Sequence, residues 1–408
     1  MKKTVLRKYA ALIARKGVNI QKGQEAIIRC ELEQPEFVYL LTEELYKAGA
    51  ERVFVEWSHQ PLTRLHVRYA TKEKLATVED WETEKLRHQV QTLPAMIYLL
   101  SEDPDGLMGV DQKKYGEAMQ ARSLLLKPYR DEMENRYPWC IAAVPGKKWA
   151  KKLFPGERVS TAVEKLWNAI LQASRATDDP IAAWEAHNEN LHSRSQYLND
   201  LGLVKLHYTA GNGTDLTVGL LPQALFMGGA EKLPQKDIFY NPNIPSEEIF
   251  TTPMRGQAEG IVYGTKPLSY RGVLIENFWI RFQDGKAVEV HAEKNEELFR
   301  QMIQMDEGAA YLGECALVPY HSPISEQNIL YYNTLFDENA ACHLALGMGF
   351  SNCIRDYEQY TLEECRKMGV NDSILHEDFM IGTPDLSIDG IRKNGEVVPV
   401  FRNGDWAF

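Results

Sequence analysis

Ala26-Ile27-Ile28-Arg29-Cys30, a helical run from Pro35 to Lys47, and Arg52-Val53-Phe54-Val55-Glu56-Trp57 decide the fold of the first part of this chain. Short apolar runs rich in β-branched residues read as buried strands, and a helical segment between two of them is the connection that parallel strands require. Ala95-Met96-Ile97-Tyr98-Leu99-Leu100 and Trp139-Cys140-Ile141-Ala142-Ala143-Val144 repeat the unit. The alternation predicts an α/β domain with a largely parallel sheet over residues 1–180. No GxGxxG or GxxxxGK[ST] follows any of these runs, so the domain is expected to act as a scaffold or interface and not as a nucleotide site.

Thr177-Asp178-Asp179-Pro180 is a break, with Pro180 placed to open a helix. Trp184, His187, Leu191, Arg194 and Leu198 then follow at three- and four-residue spacing and define one helical stripe. His187 and His192 read as packing or solvated histidines of that helix. Beyond Leu201 the character changes to short alternating runs separated by Gly211-Asn212-Gly213-Thr214-Asp215 and Gln283-Asp284-Gly285, the pattern of antiparallel strands and turns. Val273–Phe282 and Lys286–Ala292 are expected to form a hairpin, and Asn295–Met305 a helix. Residues 181–408 are therefore expected to be a β-rich α+β domain that bears the metal chemistry.

The 408 residues, 44% apolar and 25% charged, fit a soluble globular protein large enough for two cores. A net charge of −11 excludes a phosphate-backbone binder, which needs a basic footprint. No apolar run reaches the ~18 residues of a membrane span. The basic Met1-Lys2-Lys3 start leads into Ala10–Ala14, too short for a signal peptide and broken by Arg15-Lys16. The 6 cysteines show no CxxC spacing, so they are expected to be reduced thiols in a cytoplasmic protein. Cys315 and Cys342, each next to a candidate ligand, are expected to face the core.

The chemistry concentrates in four segments. In His376-Glu377-Asp378-Phe379-Met380 the histidine and aspartate are two apart, which in a strand sends both to one face and suits Zn²⁺, Co²⁺ or Mn²⁺. Glu314 opens the apolar strand Gly313–Pro319, and Glu248 lies among β-branched and aromatic residues in Asn243–Pro253. Ionised carboxylates in such settings need a partner, and a metal is one. Asp337–Leu346 reads as helix-compatible, where a five-residue spacing turns Glu338 and His343 about 140° apart. They would share an ion only if the helix starts between them; Glu338 otherwise fits as a helix N-terminal acid. Glu248, Glu314, Glu338, His343, His376 and Asp378 exceed the needs of one tetrahedral zinc and suit two ions ~3.5–4 Å apart with a bridging carboxylate.

The blocks Asn243–Pro253, Leu312–Pro319, Glu338–Gly347 and His376–Asp385, joined by Gly213-Thr214-Asp215-Leu216-Thr217-Val218, resemble the aminopeptidase T and aminopeptidase S metallopeptidase family. The likeness runs from Asn19-Ile20-Gln21-Lys22-Gly23-Gln24 to Arg402-Asn403-Gly404-Asp405-Trp406-Ala407. It implies two divalent ions (Zn, Co or Mn), with Glu248 a terminal ligand and Glu314 a bridging or catalytic carboxylate. Glu338, His343, His376 and Asp378 would complete the two shells, in a homodimer acting on short peptides. One position departs: where the family carries a tyrosine seven residues after the ligand histidine, this chain has Phe350, which cannot donate a hydrogen bond to an oxyanion. The role then passes to a neighbour such as Tyr357 or Tyr360, or to the metals alone. The expected activity is release of N-terminal residues through a metal-activated water. A phosphoester hydrolase would add Arg or Lys to the ligand blocks, which contain none; a non-catalytic metal-binding or interaction protein is the other alternative.

Overall fold

Four of the apolar runs become β1 (Glu25–Glu31), β2 (Arg52–Ser58), β3 (Ala95–Leu100) and β4 (Trp139–Ala143). β1 pairs in parallel with β2 and with β3, and β3 with β4. A short strand, Asn243–Ile244, joins β4, so the order is β2-β1-β3-β4 followed by 243–244. The helix Pro35–Ala48 that links β1 to β2 begins on Pro35 and stops at Gly49, whose φ of 120° only glycine adopts freely. Ile27, Ile28, Ile97, Leu99 and Ala142 are buried, as strands covered on both faces must be. The computed structural model describes every residue except Thr177 and Gln235, so the Thr177 end of the expected break lies outside the described residues.

The chain divides into two compact units, Met1–His187 with Ala230–Ser246, and Asn188–Gly229 with Glu247–Phe408. The second unit holds a nine-stranded sheet that includes Leu203–Thr209, Asp215–Leu220, Pro253–Tyr263 and Ser387–Arg392. The expected hairpin is there as Val273–Gln283 and Lys286–Lys294. A separate four-stranded antiparallel sheet runs Ile249–Thr251, Leu312–Leu317, His343–Gly347, His376–Met380 in that spatial order. Leu206, Tyr208, Val218, Phe278, Cys315, Leu344 and Phe379 meet in one core cluster, each large apolar side chain contributing about 1.5–3 kcal/mol by leaving water.

One local expectation is corrected. Asp337–Leu346 is not a helix: the helix Thr334–Glu338 ends at Glu338, and His343 opens a strand. Paired on one side with 312–317 and on the other with 376–380, this segment takes its conformation from the sheet and not from its local propensity. All six cysteines are buried and free. No helix among the described residues is long and apolar enough to cross a membrane.

Candidate metal centre

The four-stranded sheet has two chemically different faces. Register places Glu314 opposite Ala345 and Ala345 opposite Asp378, with His343 opposite Ala316 and Met380, and His376 opposite Gly347. Strand alternation then puts Glu314, His343, His376 and Asp378 on one face, while Cys315, Leu344, Leu346 and Phe379 on the other enter the core. The residues between the ligands on their own face are small. With neighbouring strands about 4.8 Å apart, Ala345 leaves room for the carboxylates of the two flanking strands to converge over it. Glu248 joins from the residue before Ile249–Thr251.

Backbone proximity is part of this design. Gly347 takes φ 105°, and a Cβ there would stand 2.1 Å from the Leu375 carbonyl oxygen; a Cβ on Gly313 would stand 2.1 Å from that of Met348. The Met348 carbonyl, held in place this way, accepts from His376 Nδ1 at 2.8 Å. His343 Nδ1 makes the equivalent bond to the Ala341 carbonyl at 3.1 Å. Each histidine thus spends Nδ1 on the backbone and presents Nε2, the arrangement that orients metal-ligating imidazoles.

The presented atoms converge. His343 Nε2 lies 3.2 Å from Glu248 Oε2. His376 Nε2 lies 3.2 Å from Glu314 Oε2 and 3.5 Å from Asp378 Oδ1. Glu248, Glu314 and His343 form one group, and Glu314, His376 and Asp378 another, with the ligand atoms in each within 4.8 Å of one another. Glu314 belongs to both. Glu338, the sixth residue singled out in the sequence, lies outside these two groups but is buried and hydrogen-bonds Asp378. Asn339 holds two of the segments together, its amide donating to Glu338 Oε1 (3.3 Å) and to the Leu335 carbonyl while its Oδ1 accepts from Glu247 N at 2.7 Å.

Electrostatics test whether a cation fits. Burial, reinforced by Asp378 and Glu248, pushes the Glu314 carboxyl up to about 7. Burial with Asp378, Glu248 and Glu314 nearby raises Glu338 well above the carboxylate range. Burial would lower the imidazoles, but the bond and charge of Glu248 lift His343 to about 9, and Asp378 with Glu314 lifts His376 well above its ordinary value. Asp378 goes the other way: burial is outweighed by His376 and its carboxyl falls. Asp378 Oδ1 is buried without a hydrogen-bond partner. A pocket of carboxylates that retain protons, with one carboxylate oxygen unsatisfied, is a place where divalent ions supply the missing positive charge. The donor set, oxygen and imidazole nitrogen without thiolate, fits a catalytic ion and not a structural zinc knot.

Tyr357 and Tyr360 are partly exposed and pack against a small cluster of Leu221, Ile354, Cys365 and Val370. Phe350 stands beside the cluster, its ring centroid 4.9 Å from that of His376. Asn339 and the carbonyls of Ala341 and Met348 have no role in the sequence reading. Asn339 is the one with a sequence signal: an amide directly after a buried acid, ahead of two alanines.

The family model for the thermophilic metalloproteases (M29) matches residues 2–406. Aminopeptidase AmpS of Bacillus subtilis is 40% identical over 405 residues, 99% of this chain and 98% of that protein. Aminopeptidase T of Thermus thermophilus is 40% identical over 403 residues, 98% of each. The solved structure of wild-type AmpT from Thermus thermophilus superposes with a TM-score of 0.90 at 39% identity, covering all of both chains.

Proposed function

We propose, for a chain that belongs to the thermophilic metalloprotease (M29) family and is a metal-dependent aminopeptidase, a centre of two divalent ions that share Glu314. The observation that carries this reading is the membership of Glu314 in both ligand groups. Glu248 and His343 would complete one site, and His376 and Asp378 the other, with Glu338 supporting Asp378. Zinc, cobalt and manganese all suit these donors. When bound, such ions lower the pKa of water towards ~7 and polarise a scissile carbonyl.

The chain's own groups do the rest. His343 and His376, fixed through Nδ1, orient the sites. Glu314, the carboxylate common to both groups, is the candidate acceptor of the water's proton. The substrate's free α-amine meets a carboxylate or an ion of this cluster, which restricts attack to the first residue of a short peptide. The hydroxyl that Phe350 lacks is assigned to Tyr357, on a short helical turn that packs beside the one following Phe350, or to Tyr360 at that turn's end. Residues 181–408 carry this chemistry, and residues 1–180 serve as scaffold or interface in a cytoplasmic homodimer.

Hydrolysis of leucine and arginine p-nitroanilides, before and after chelation and re-addition of Co²⁺ or Zn²⁺, tests the reading. Metal-dependent release supports it. Hydrolysis of p-nitrophenyl phosphate alone would point to a phosphoesterase, and metal binding with no turnover to a non-catalytic protein.

A further inference from the structure

The five clustered side chains differ in exposure. Side-chain exposure is 28% for His376 but a tenth or less for Glu248, Glu314, His343 and Asp378. His376 is thus the member of the cluster that meets solvent most. What stands there is aromatic: the Phe350 ring lies 4.9 Å from the His376 ring, and Phe250 meets Phe350 edge-on at 5.5 Å. Both phenylalanines are partly exposed, unlike the buried core rings such as Phe278 and Phe379.

The backbone beneath both rings is pinned by hydrogen bonds. Phe250 exchanges two backbone bonds with Met227, each of 2.8 Å. Phe350 N donates to Thr252 Oγ1 at 2.8 Å, and that hydroxyl returns a bond to the Phe350 carbonyl at 3.3 Å. Thr252 is two residues beyond Phe250, so one short stretch of chain anchors both. A pair of pre-positioned rings offers apolar surface with little ordering cost on binding. Neither ring belongs to the core cluster on the sheet's other face.

We propose that Phe250 and Phe350 form the seat for the side chain of the substrate's first residue, and that the enzyme selects peptides beginning with a large apolar residue over those beginning with glycine. This rests on the aminopeptidase reading. The free α-amine and scissile carbonyl occupy the cluster, and the first side chain then projects onto the rings beside its open edge. Phe350 has a specificity role here, not a catalytic one.

The test uses the metal-loaded full chain. For wild type, kcat/KM for leucyl-p-nitroanilide should exceed that for glycyl-p-nitroanilide by at least ~10-fold, since each added apolar group in a fitted pocket is worth roughly that factor. Phe350→Ala and Phe250→Ala should each reduce this ratio by ~10-fold, while Phe350→Leu should retain most of it. In calorimetry, L-leucine should bind wild type more tightly than glycine by a similar factor, and Phe350→Ala should erase the difference. A leucyl-to-glycyl ratio near one in wild type, or a ratio unmoved by either alanine variant, would overturn the proposal. If wild type releases no first residue from any substrate, the aminopeptidase reading falls, and the leucine-against-glycine binding difference alone decides for or against the aromatic seat.

Discussion

Glu314 Oε2 stands 3.2 Å from His376 Nε2, and the same carboxylate is counted with Glu248 and His343 on its other side. One residue therefore links two groups of candidate ligands that come from three strands and the residue just before a fourth. Its burial raises its pKa and its position makes it common to both groups, so its charge should matter more than that of any peripheral member.

Glu314→Gln keeps the shape and removes the charge. Turnover should fall by at least ~10²-fold, the range of a lost acid–base group, and the number of bound ions should fall below that of wild type by elemental analysis. The circular dichroism spectrum should be unchanged. Near-wild-type kcat in a fully metallated variant would remove Glu314 from the reaction.

The protonation pattern gives a pH test of the metal-free protein. Folding lifts Glu314 from 4.5 to about 7 and His343 from 6.5 to about 9, and raises Glu338 and His376 as well. Between about pH 5 and 9 the folded state thus holds more protons than the unfolded chain. Stability from these groups is full at the acid end of that window and is lost as pH rises through the folded values. Asp378, lowered, acts only below its ordinary value of 3.8, outside the window. Tm of the chelated protein should fall from pH 5.5 to 8.5, and the gain in Tm on adding Zn²⁺ should grow over the same range, because the ion displaces those protons. A flat chelated profile would contradict the proton-loaded cluster.

Gly347→Ala should harm both fold and site. The new Cβ meets the Leu375 carbonyl oxygen at 2.1 Å in a backbone with φ 105°, and such overpacking costs about 1–3 kcal/mol before strain is added. The displaced Met348 carbonyl would release His376 Nδ1, weakening metal affinity. Gly395→Ala is the control: its φ of 85° is similarly strained, but nothing lies within 4 Å of the added Cβ. A Gly347→Ala protein no less stable than Gly395→Ala, with wild-type metal affinity, would show that close packing there is dispensable.

Much of this was readable in the chain, and the failures have physical causes. Alternating strand and helix patterns in residues 25–144 give the parallel sheet because each run is predominantly apolar, a signal that survives without tertiary context. The His376-Asp378 pair is legible because a period of two is intrinsic to a strand. The segment 337–346 misleads because its residues carry no strong preference, and two neighbouring strands, distant in sequence, decide its conformation. Asn339 and the carbonyls that orient the histidines are invisible for a related reason: a backbone acceptor has no side-chain signature, and its role appears only when Gly313 and Gly347 bring chain segments into contact. Phe250 and Phe350 look like ordinary core residues until their exposure and their position beside His376 are seen.

The missing hydroxyl at Phe350 is the last point open to direct measurement. If Tyr357 or Tyr360 supplies it, Tyr357→Phe or Tyr360→Phe should lower kcat by ~10²-fold, as loss of an oxyanion donor does, with little change in KM. Phe350→Tyr should then alter kcat by less than ~3-fold, because the position is already served. The reverse result is equally informative. Both rings pack on the cluster of Leu221, Ile354, Cys365 and Val370, and a hydroxyl engaged only there would leave kcat untouched when removed while costing some stability. In that event a large gain from Phe350→Tyr, whose hydroxyl would extend from a ring 4.9 Å from His376, would show that the chain works without this donor. No response from any of the three variants would assign oxyanion stabilisation to the ions alone. The pattern across three substitutions, read as kcat against KM on one substrate, separates these cases because each adds or removes a single oxygen atom and leaves the ligand cluster unchanged.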